Sequence, residues 1–426
     1  MKLQPPKGTR DFYPDEMARR RYLHDAWRRV SKRHGFDEVD GPIFESLDLY
    51  KVKSGEGIVS ELFHFKDRGD RELAIRPEFT PTLARMVAAK ANGLPKPIKW
   101  FCTPNLCRAE KPQRGRLREF DQWNIDMLGE AGPIADAEVI AVSVDLLREL
   151  GVGPEMVKVK LSHREVVRQV LRALGVGDEK MNEAFTLLDA KDKLPPEVFA
   201  EKAKALGLGD EQVQRFDAMC SQTYAVGEID KLRDAAGIDD ALDDLVAIDQ
   251  TLASFGLGDW CVYDLGIVRG LAYYTGTVFE LHVTTGKERA LGGGGRYDKL
   301  IELFGGPSMP AVGFGMGDVV LTNLLEDENL LPDTLTQAQP DAYVIALTDA
   351  GDAALPGVVS SLRFAGLHTR MNYKTTRKVG KLLKDAEACG ATVAILLDDE
   401  GASVKDLATG DQQTVAINQL VEYLNK

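Results

Sequence analysis

From Asp15 to His34 the apolar residues Met17, Leu23, Trp27 and Val30 recur at roughly helical spacing among arginines, and Gly35 stands where a helix ends in a glycine cap. The pattern predicts an amphipathic helix. Residues 36–160 read as strands and hairpins interrupted by helices, one of which is expected to open at Thr80-Pro81, threonine as the cap and proline at the first helical position. A mixed, largely antiparallel sheet follows. Between 164 and 255 the texture changes to Ala, Leu, Asp and Glu at helical spacing (Val166, Val170, Leu174), with short breaks at Gly177-Asp178 and Gly209-Asp210. This reads as a helical insertion.

Strand-like runs return at Cys261–Val283 and Pro310–Phe314, so the first domain is predicted to be discontinuous, 1–163 with 256–325, around an insertion at 164–255. Residues 326–340 (EDENLLPDTLTQAQP) are polar, carry two prolines and lack a period; they read as a linker. The final part, 341–426, runs strand (Tyr343–Leu347), helix (around Pro356–Phe364), basic segment (Arg370–Lys384), strand (Thr392–Leu397), turn and helix. That alternation predicts a small α/β domain.

Composition narrows the class. The 426 residues are 44% hydrophobic and 28% charged, enough to bury a core, and the net charge of -13 argues against a protein that coats nucleic acid through overall charge. The five cysteines (Cys102, Cys107, Cys220, Cys261, Cys389) are odd in number and include no CxxC pair, so a reduced, cytoplasmic setting is expected rather than a disulfide framework or thiolate metal site. The opening lacks an apolar signal region, and the longest apolar stretch, Thr392–Leu397, is far too short to span a bilayer. No membrane partner is expected. The six histidines sit apart without an HExxH pair, and no metal site is expected.

The most informative block is Leu106–Gly129, LCRAEKPQRGRLREFDQWNIDMLG, which reads as two strands joined by the loop Lys111–Arg116. Alternation on its second strand puts Phe120, Gln122, Asn124 and Asp126 on one face and Trp123, Ile125 and Met127 on the other. Arg108 and Glu110 share a face on the first strand. Together they suit a small polar ligand bearing a phosphate: arginine forks onto oxyanions, and Phe120 can stack on a base. On spacing alone, a solvated sheet face with ion pairs fits as well. The glycine runs Gly292–Gly295 and Gly313–Gly317 lack the Lys-Ser/Thr of a P-loop and open no βαβ unit, so close backbone approach to a ligand is the better account of them.

The same block resembles motif 2 of the histidyl-tRNA synthetases, a class II aminoacyl-tRNA synthetase family, and the resemblance runs along nearly the whole chain. PKGTRDFYPDE (Pro6–Glu16) resembles the family's opening, and ELFHFKDRGDRELAIRPEFT (Glu61–Thr80) resembles the segment ending in its amino-acid-binding Glu-x-Thr. VRGLAYYTGTVFE (Val268–Glu280) and GGGRYD (Gly293–Asp298) are similar to its histidine-specific signatures. The resemblance implies an α+β class II catalytic domain, an antiparallel sheet of six or seven strands flanked by helices, with a helical insertion and a C-terminal α/β anticodon-binding domain. It also implies a homodimer, through motif 1 at Gly35–Tyr50.

The activity implied is ATP-dependent ligation of L-histidine to histidine tRNA through a histidyl-adenylate. The residues carried over are Glu78 and Thr80 for the α-ammonium, Gln122 for the amino-acid cradle, and Asp126, Tyr273 and Tyr274 for the imidazole side; the family often has glutamate where Asp126 stands. Arg269 would stand against the α-phosphate, and Arg108 would bridge carboxylate and α-phosphate; these two are the catalytic candidates. Arg108, Glu110, Arg116 and Phe120 would meet ATP, with Mg2+ on its outer phosphates. Lys111, Gln113 and Arg114 at the hairpin tip, and Arg377 and Lys378 within the basic run, would meet tRNA. DNA is not an expected partner.

One departure stands out. The family's motif 3 ends in an arginine that reaches ATP, and here Val320 stands at or near that position, with Arg296 as a candidate substitute. The gap keeps open a second class, a non-catalytic histidine sensor resembling the regulatory subunit of ATP phosphoribosyltransferase. Intact Arg108 and Arg269 and a C-terminal domain argue against it.

Overall fold

The computed structural model describes residues 3–54, 56–191, 194–237, 242–268, 273–285, 289–335 and 338–425. The chain packs as two units, Met1–Asp11 with Arg20–Pro332, and Phe12–Arg19 with Asp333–Lys426.

The larger unit is organised by a ten-stranded sheet. Its centre is six antiparallel neighbours in the order Ile98–Cys102, Glu119–Leu128, Ala311–Gly317, Gly292–Arg296, Thr277–Val283 and Val157–His163. Short strands Asp37–Glu38 and Cys261–Tyr263 extend the two sides in parallel pairing, Tyr224–Ala225 adds to the latter, and Asn105–Cys107 pairs with Glu119–Leu128.

Alternation decides what each face meets. Trp123, Ile125 and Met127 turn into the main core with Leu23, Trp27 and Val30 of the helix Pro14–Arg33 and the apolar residues of the helix Pro133–Glu149. Trp27 and Trp123 stack with centroids 6.4 Å apart, and the Trp123 indole donates to Ser31 Oγ at 2.9 Å, so the polar atom of a fully buried ring is satisfied. Each such buried large side chain contributes about 1.5–3 kcal/mol. Gln122 and Asp126 turn the other way, towards the candidate site.

Some sequence expectations need correction. Thr80 is the first residue of the helix Thr80–Lys90 rather than its cap; the cap position belongs to Phe79, which is buried and already in helical conformation. The run Cys261–Val283 is not one strand. Cys261–Tyr263 and Thr277–Val283 flank Val157–His163 from opposite sides, one parallel and one antiparallel, because Asp264 breaks the run with a turn, its Oδ1 accepting from the Gly266 amide at 2.9 Å.

The stretch after Arg164 is helical (Arg164–Ala173, Met181–Asp189, Pro196–Ala205, Asp210–Ser221, Ile229–Ala236, Asp243–Ser254), and Tyr224–Ala225 ties it to the sheet. Gly177 and Gly209 sit extended at the N-terminal ends of the helical turns that follow them. The helix Asp318–Asp327 continues into the first residues of the expected linker. Among the described residues no helix is long and apolar enough to cross a membrane.

The smaller unit holds a five-stranded sheet in the order Thr369–Met371, Ala342–Ala346, Val393–Asp398, Gly401–Asp406, Gln412–Val415; the first three are parallel and the last two form antiparallel hairpins. The helix Asp349–Phe364 is capped by Thr348, whose hydroxyl accepts from the Gly351 amide.

Candidate active site

A cavity of about 450 Å³ opens over the polar face of the large sheet. Phe120 and Gln122 line it from the strand Glu119–Leu128, Gly292, Gly293, Gly315 and Gly317 from the neighbouring strands, and Arg108, Gly115 and Arg116 from the motif 2 hairpin. The glycines keep this floor low. A Cβ on Gly315 would come within 2.8–3.0 Å of the Gln122 side chain, and one on Gly313 would land on Asp126 Oδ1.

The strand carrying Phe120 and Gln122 is anchored from behind. Asp121, between them, accepts from Arg20 at 2.5 and 2.8 Å, meets His24 Nε2 at 3.0 Å and accepts from Asn105 at 3.1 Å. Burial pushes its carboxyl up, but these hydrogen bonds outweigh burial and hold it far below the usual range. The backbone under the cavity is therefore pinned by an ionised carboxylate.

Arg108 donates through Nε to the Pro77 carbonyl at 3.0 Å and lies 4.9 Å over the Phe120 ring. Arg116 pairs with Glu110. Burial lowers the pKa of Arg116, and the nearby positive charges of Arg289 and Arg108 lower it further.

Beyond Gln122, the same strand face leads to a buried carboxyl. Asp126 accepts from the Tyr297 hydroxyl, and burial raises its pKa to about 7 against that bond. Tyr273 and Tyr274 lie with ring centroids 4.8 Å apart, and Tyr273 meets Tyr297 edge-on at 6.0 Å. On the opposite side Lys53, from the helix Leu47–Ser54, donates to Glu78 Oε2 at 2.5 Å and stands 4.2 Å over the Tyr273 ring. Burial lowers the Lys53 pKa, the Glu78 carboxylate opposes that, and Arg108 adds to it.

The chain matches the family model described as histidyl-tRNA synthetase over residues 8–318. It belongs to the histidyl-tRNA synthetase family. The anticodon binding domain model matches residues 341–426. The histidine–tRNA ligase of Natronomonas pharaonis is 38% identical over 417 residues, 96% of this chain and 95% of that protein. The chloroplastic/mitochondrial histidine–tRNA ligase of Arabidopsis thaliana is 35% identical over 424 residues, 98% of this chain and 86% of that protein. The crystal structure of the histidyl-tRNA synthetase from Nostoc shares the fold with a TM-score of 0.81 at 23% identity, over 100% of this chain and 99% of that one. A Bacillus halodurans structure described as an ATP phosphoribosyltransferase regulatory subunit/histidyl-tRNA synthetase shares it at 0.75 and 22% identity, over 93% and 98% of the two chains. Fold alone therefore does not separate catalyst from sensor, whereas the full-length sequence relatives fall on the synthetase side.

Within this synthetase-family chain, Glu78, Arg108, Gln122, Asp126, Tyr273 and Tyr274 are brought to one face of the sheet, with Thr80 two residues beyond Glu78. Arg269 lies outside the described residues. Arg296 does not substitute for the motif 3 arginine. On the strand Gly292–Arg296 it points away from its neighbour Tyr297 and is held by Asp136 at 3.1–3.2 Å through Nε, by Asp298 at 3.3 Å, and by the Glu130 and Gly132 carbonyls at 3.2 Å each. That is the buried back of the sheet.

The residues expected to meet tRNA are placed at the surface, and some of them are paired with acids. Gln113 and Arg116 bridge the tip, where Gly115 adopts φ +69. Arg114 meets Asp327 at 3.1 Å, and Lys111 is exposed. In the smaller unit Arg377 pairs with Asp349 and Asp352, Lys374 with Asp385 at 2.6 Å, and Lys378 is exposed. The basic run, free of acids in sequence, recruits acids from neighbouring elements.

Sequence reasoning missed three residues. Tyr297 was visible only as part of GGGRYD, Lys53 looked like an ordinary lysine of a short helix, and Arg289 carried no periodic signal.

Proposed function

We propose that this protein activates L-histidine with ATP and transfers it to histidine tRNA. The observation that carries the reading is the strand Glu119–Leu128, which aligns a ring beside an arginine-lined cavity (Phe120), an amide (Gln122) and a buried carboxyl (Asp126) on one face. ATP lies with its base on Phe120 and its phosphates among Arg108 and Arg116, near Glu110. Histidine places its α-ammonium on Glu78 and Thr80 and its carboxylate by Arg108 and Gln122. Its imidazole sits among Asp126, Tyr273 and Tyr274. A free imidazole titrates near 6.5, so an acid poised at about 7 can share a proton with it at low cost.

A carboxylate oxygen of histidine then attacks the α-phosphorus, a new C–O–P linkage forms and pyrophosphate leaves with the electron pair of the broken P–O bond. Arg108 holds nucleophile and electrophile together, and Arg269 is assigned to the charge building on the α-phosphate. A ribose hydroxyl at the tRNA end next attacks the acyl carbon, loses its proton, and AMP departs. Mg2+ would accompany ATP as a counter-ion and neutralise charge on its outer phosphates.

The domain reading is 1–163 with 256–325 for catalysis, 164–255 inserted, 326–340 linking, and 341–426 for the anticodon. Lys111, Gln113, Arg114, Arg377 and Lys378 meet the tRNA phosphates. The enzyme works as a cytoplasmic homodimer; exposed Ile43, Phe44 and Phe65, clustered where motif 1 pairs into the small sheet Phe44–Ser46, Glu72–Ile75, His64–Lys66, support that pairing. Histidine-dependent exchange of pyrophosphate into ATP tests the reading. Exchange is expected, and its absence in folded protein that binds histidine would favour the sensor.

A further inference from the structure

The nucleotide cavity is lined by Arg108, Arg116 and Arg289, against the carboxylates Asp189 and Glu280. Glu280 is engaged by His282, whose Nε2 lies 2.8 Å from its Oε2, and Arg116 has Glu110 as its partner. Arg289 is exposed, and among the described residues no carboxylate pairs with it. It stands on the connection between the strands Thr277–Val283 and Gly292–Arg296, close enough to Arg116 for its positive charge to help lower the pKa of that guanidinium. Bringing like charges together around a concavity is unfavourable until an anion arrives, and a polyphosphate relieves several of them at once.

The helix side of the cavity offers no such charge. Val319 and Val320, from the helix Asp318–Asp327, line it with apolar side chains, and Val320 is packed into the main core. Arg296 is spent on Asp136 behind the sheet. Beside Arg108 and Arg116 of the hairpin, the strand connection adds a further positive charge to the lining, Arg289.

We propose that Arg289 is a nucleotide-binding residue that takes the outer phosphates of ATP, on the wall of the cavity that Val320 leaves neutral. The assignment rests on the nucleotide reading of this cavity. A guanidinium fork reaches two phosphate oxygens in one plane, and an exposed arginine with no ion pair among the described residues can turn to them without breaking one there. The base and α-phosphate lie towards Phe120 and Arg108, so Arg289 distinguishes ATP from AMP rather than recognising the nucleoside.

The test is Arg289→Ala in the full-length protein, read by histidine-dependent pyrophosphate exchange and by AMP competition. Removing a charge-assisted hydrogen bond at a solvent-accessible site raises the KM for ATP about ten- to a hundredfold. The KM for histidine and the inhibition constant of AMP are expected to stay within about twofold, and Arg289→Lys to fall between, since lysine keeps the charge and loses the fork. Because the side chain is exposed, a melting temperature unchanged from the parent shows that the fold is intact. Equal weakening of ATP and AMP would overturn the outer-phosphate assignment. An unchanged KM for ATP, with Arg116→Ala raising it, would overturn Arg289 and leave the nucleotide reading standing. If Arg116→Ala and Phe120→Ala also changed nothing, the nucleotide reading itself would fall.

Discussion

Lys53 and Glu78 form an ion pair of 2.5 Å in which the lysine side chain is 1% exposed and its ammonium faces the Tyr273 ring. An ammonium of the chain itself therefore stands on the carboxylate assigned to the substrate's α-ammonium. Glu78→Ala strands a buried cation beside Arg108, and is expected to cost about 2–4 kcal/mol of stability as well as histidine-dependent exchange. Adding Lys53→Met removes the stranded charge. The double variant should regain stability in urea unfolding while remaining inactive; a double variant no more stable than Glu78→Ala would show that the pair contributes nothing to the fold.

The elevated pKa of Asp126 gives a signed pH dependence. The folded carboxyl keeps its proton up to about pH 7, whereas the unfolded one loses it near the ordinary value of about 4. Between those limits the native state binds more protons, so its stability falls as pH rises, by a few kcal/mol in all. Asp126→Asn keeps an acceptor for Tyr297 and has no proton to lose. Urea unfolding at pH 5 and pH 8 should show the variant gaining on the parent at the higher pH, with histidine activation reduced by several orders of magnitude because a matched polar partner of the substrate is gone. Equal gaps at both pH values would mean the carboxyl is not elevated.

Arg296 is predicted to matter for folding and not for ATP. Changing it to lysine loses the fork on Asp136, a carboxylate that is 1% exposed, and should lower stability by about 1–3 kcal/mol. The KM for ATP of the folded fraction should stay within about twofold. A large selective rise would return Arg296 to the nucleotide site.

The basic run of the smaller unit should not act uniformly. Arg377 and Lys374 are already paired with acids, whereas Lys378 and Lys381 are exposed. Neutralising Lys378 and Lys381 should flatten the log–log salt dependence of tRNA binding by roughly 0.7–0.9 for each phosphate no longer neutralised. Neutralising Lys374 should change it less, and the opposite order would mean that tRNA displaces the acids.

Phe44→Asp tests the exposed apolar surface at motif 1. Phe44 is 49% exposed and meets Phe65 edge-on, so a charge there should spare the monomer fold. Sedimentation should show a weakened dimer if that surface is the interface.

What the sequence disclosed follows from how local each signal is. Alternation along 119–128 placed Phe120, Gln122 and Asp126 together without a structure, because a strand's period is enforced by its own backbone. The same rule separates Arg296 from Tyr297: adjacent strand residues face opposite sides, so a signature containing both cannot put both in one cavity. Lys53 was hidden because burial of a lysine depends on a carboxylate elsewhere in the chain. In the smaller unit, Thr369–Met371 and Gln412–Val415 are too short or too polar to register as strands, and only their pairing defines them. Arg289 sits in a connection, where no period constrains direction.

The glycines beneath the pocket limit how this enzyme could be retuned. At Gly313 and Gly315 an added carbon would meet Asp126 and Gln122, and glycine has no side chain to trim, so neither position can be changed to enlarge the site. Room has to come from another wall. A change of substrate would instead come through the side chains around the site, Gln122, Asp126 and Tyr297 among them, and an engineering library is better spent there than on the two glycines.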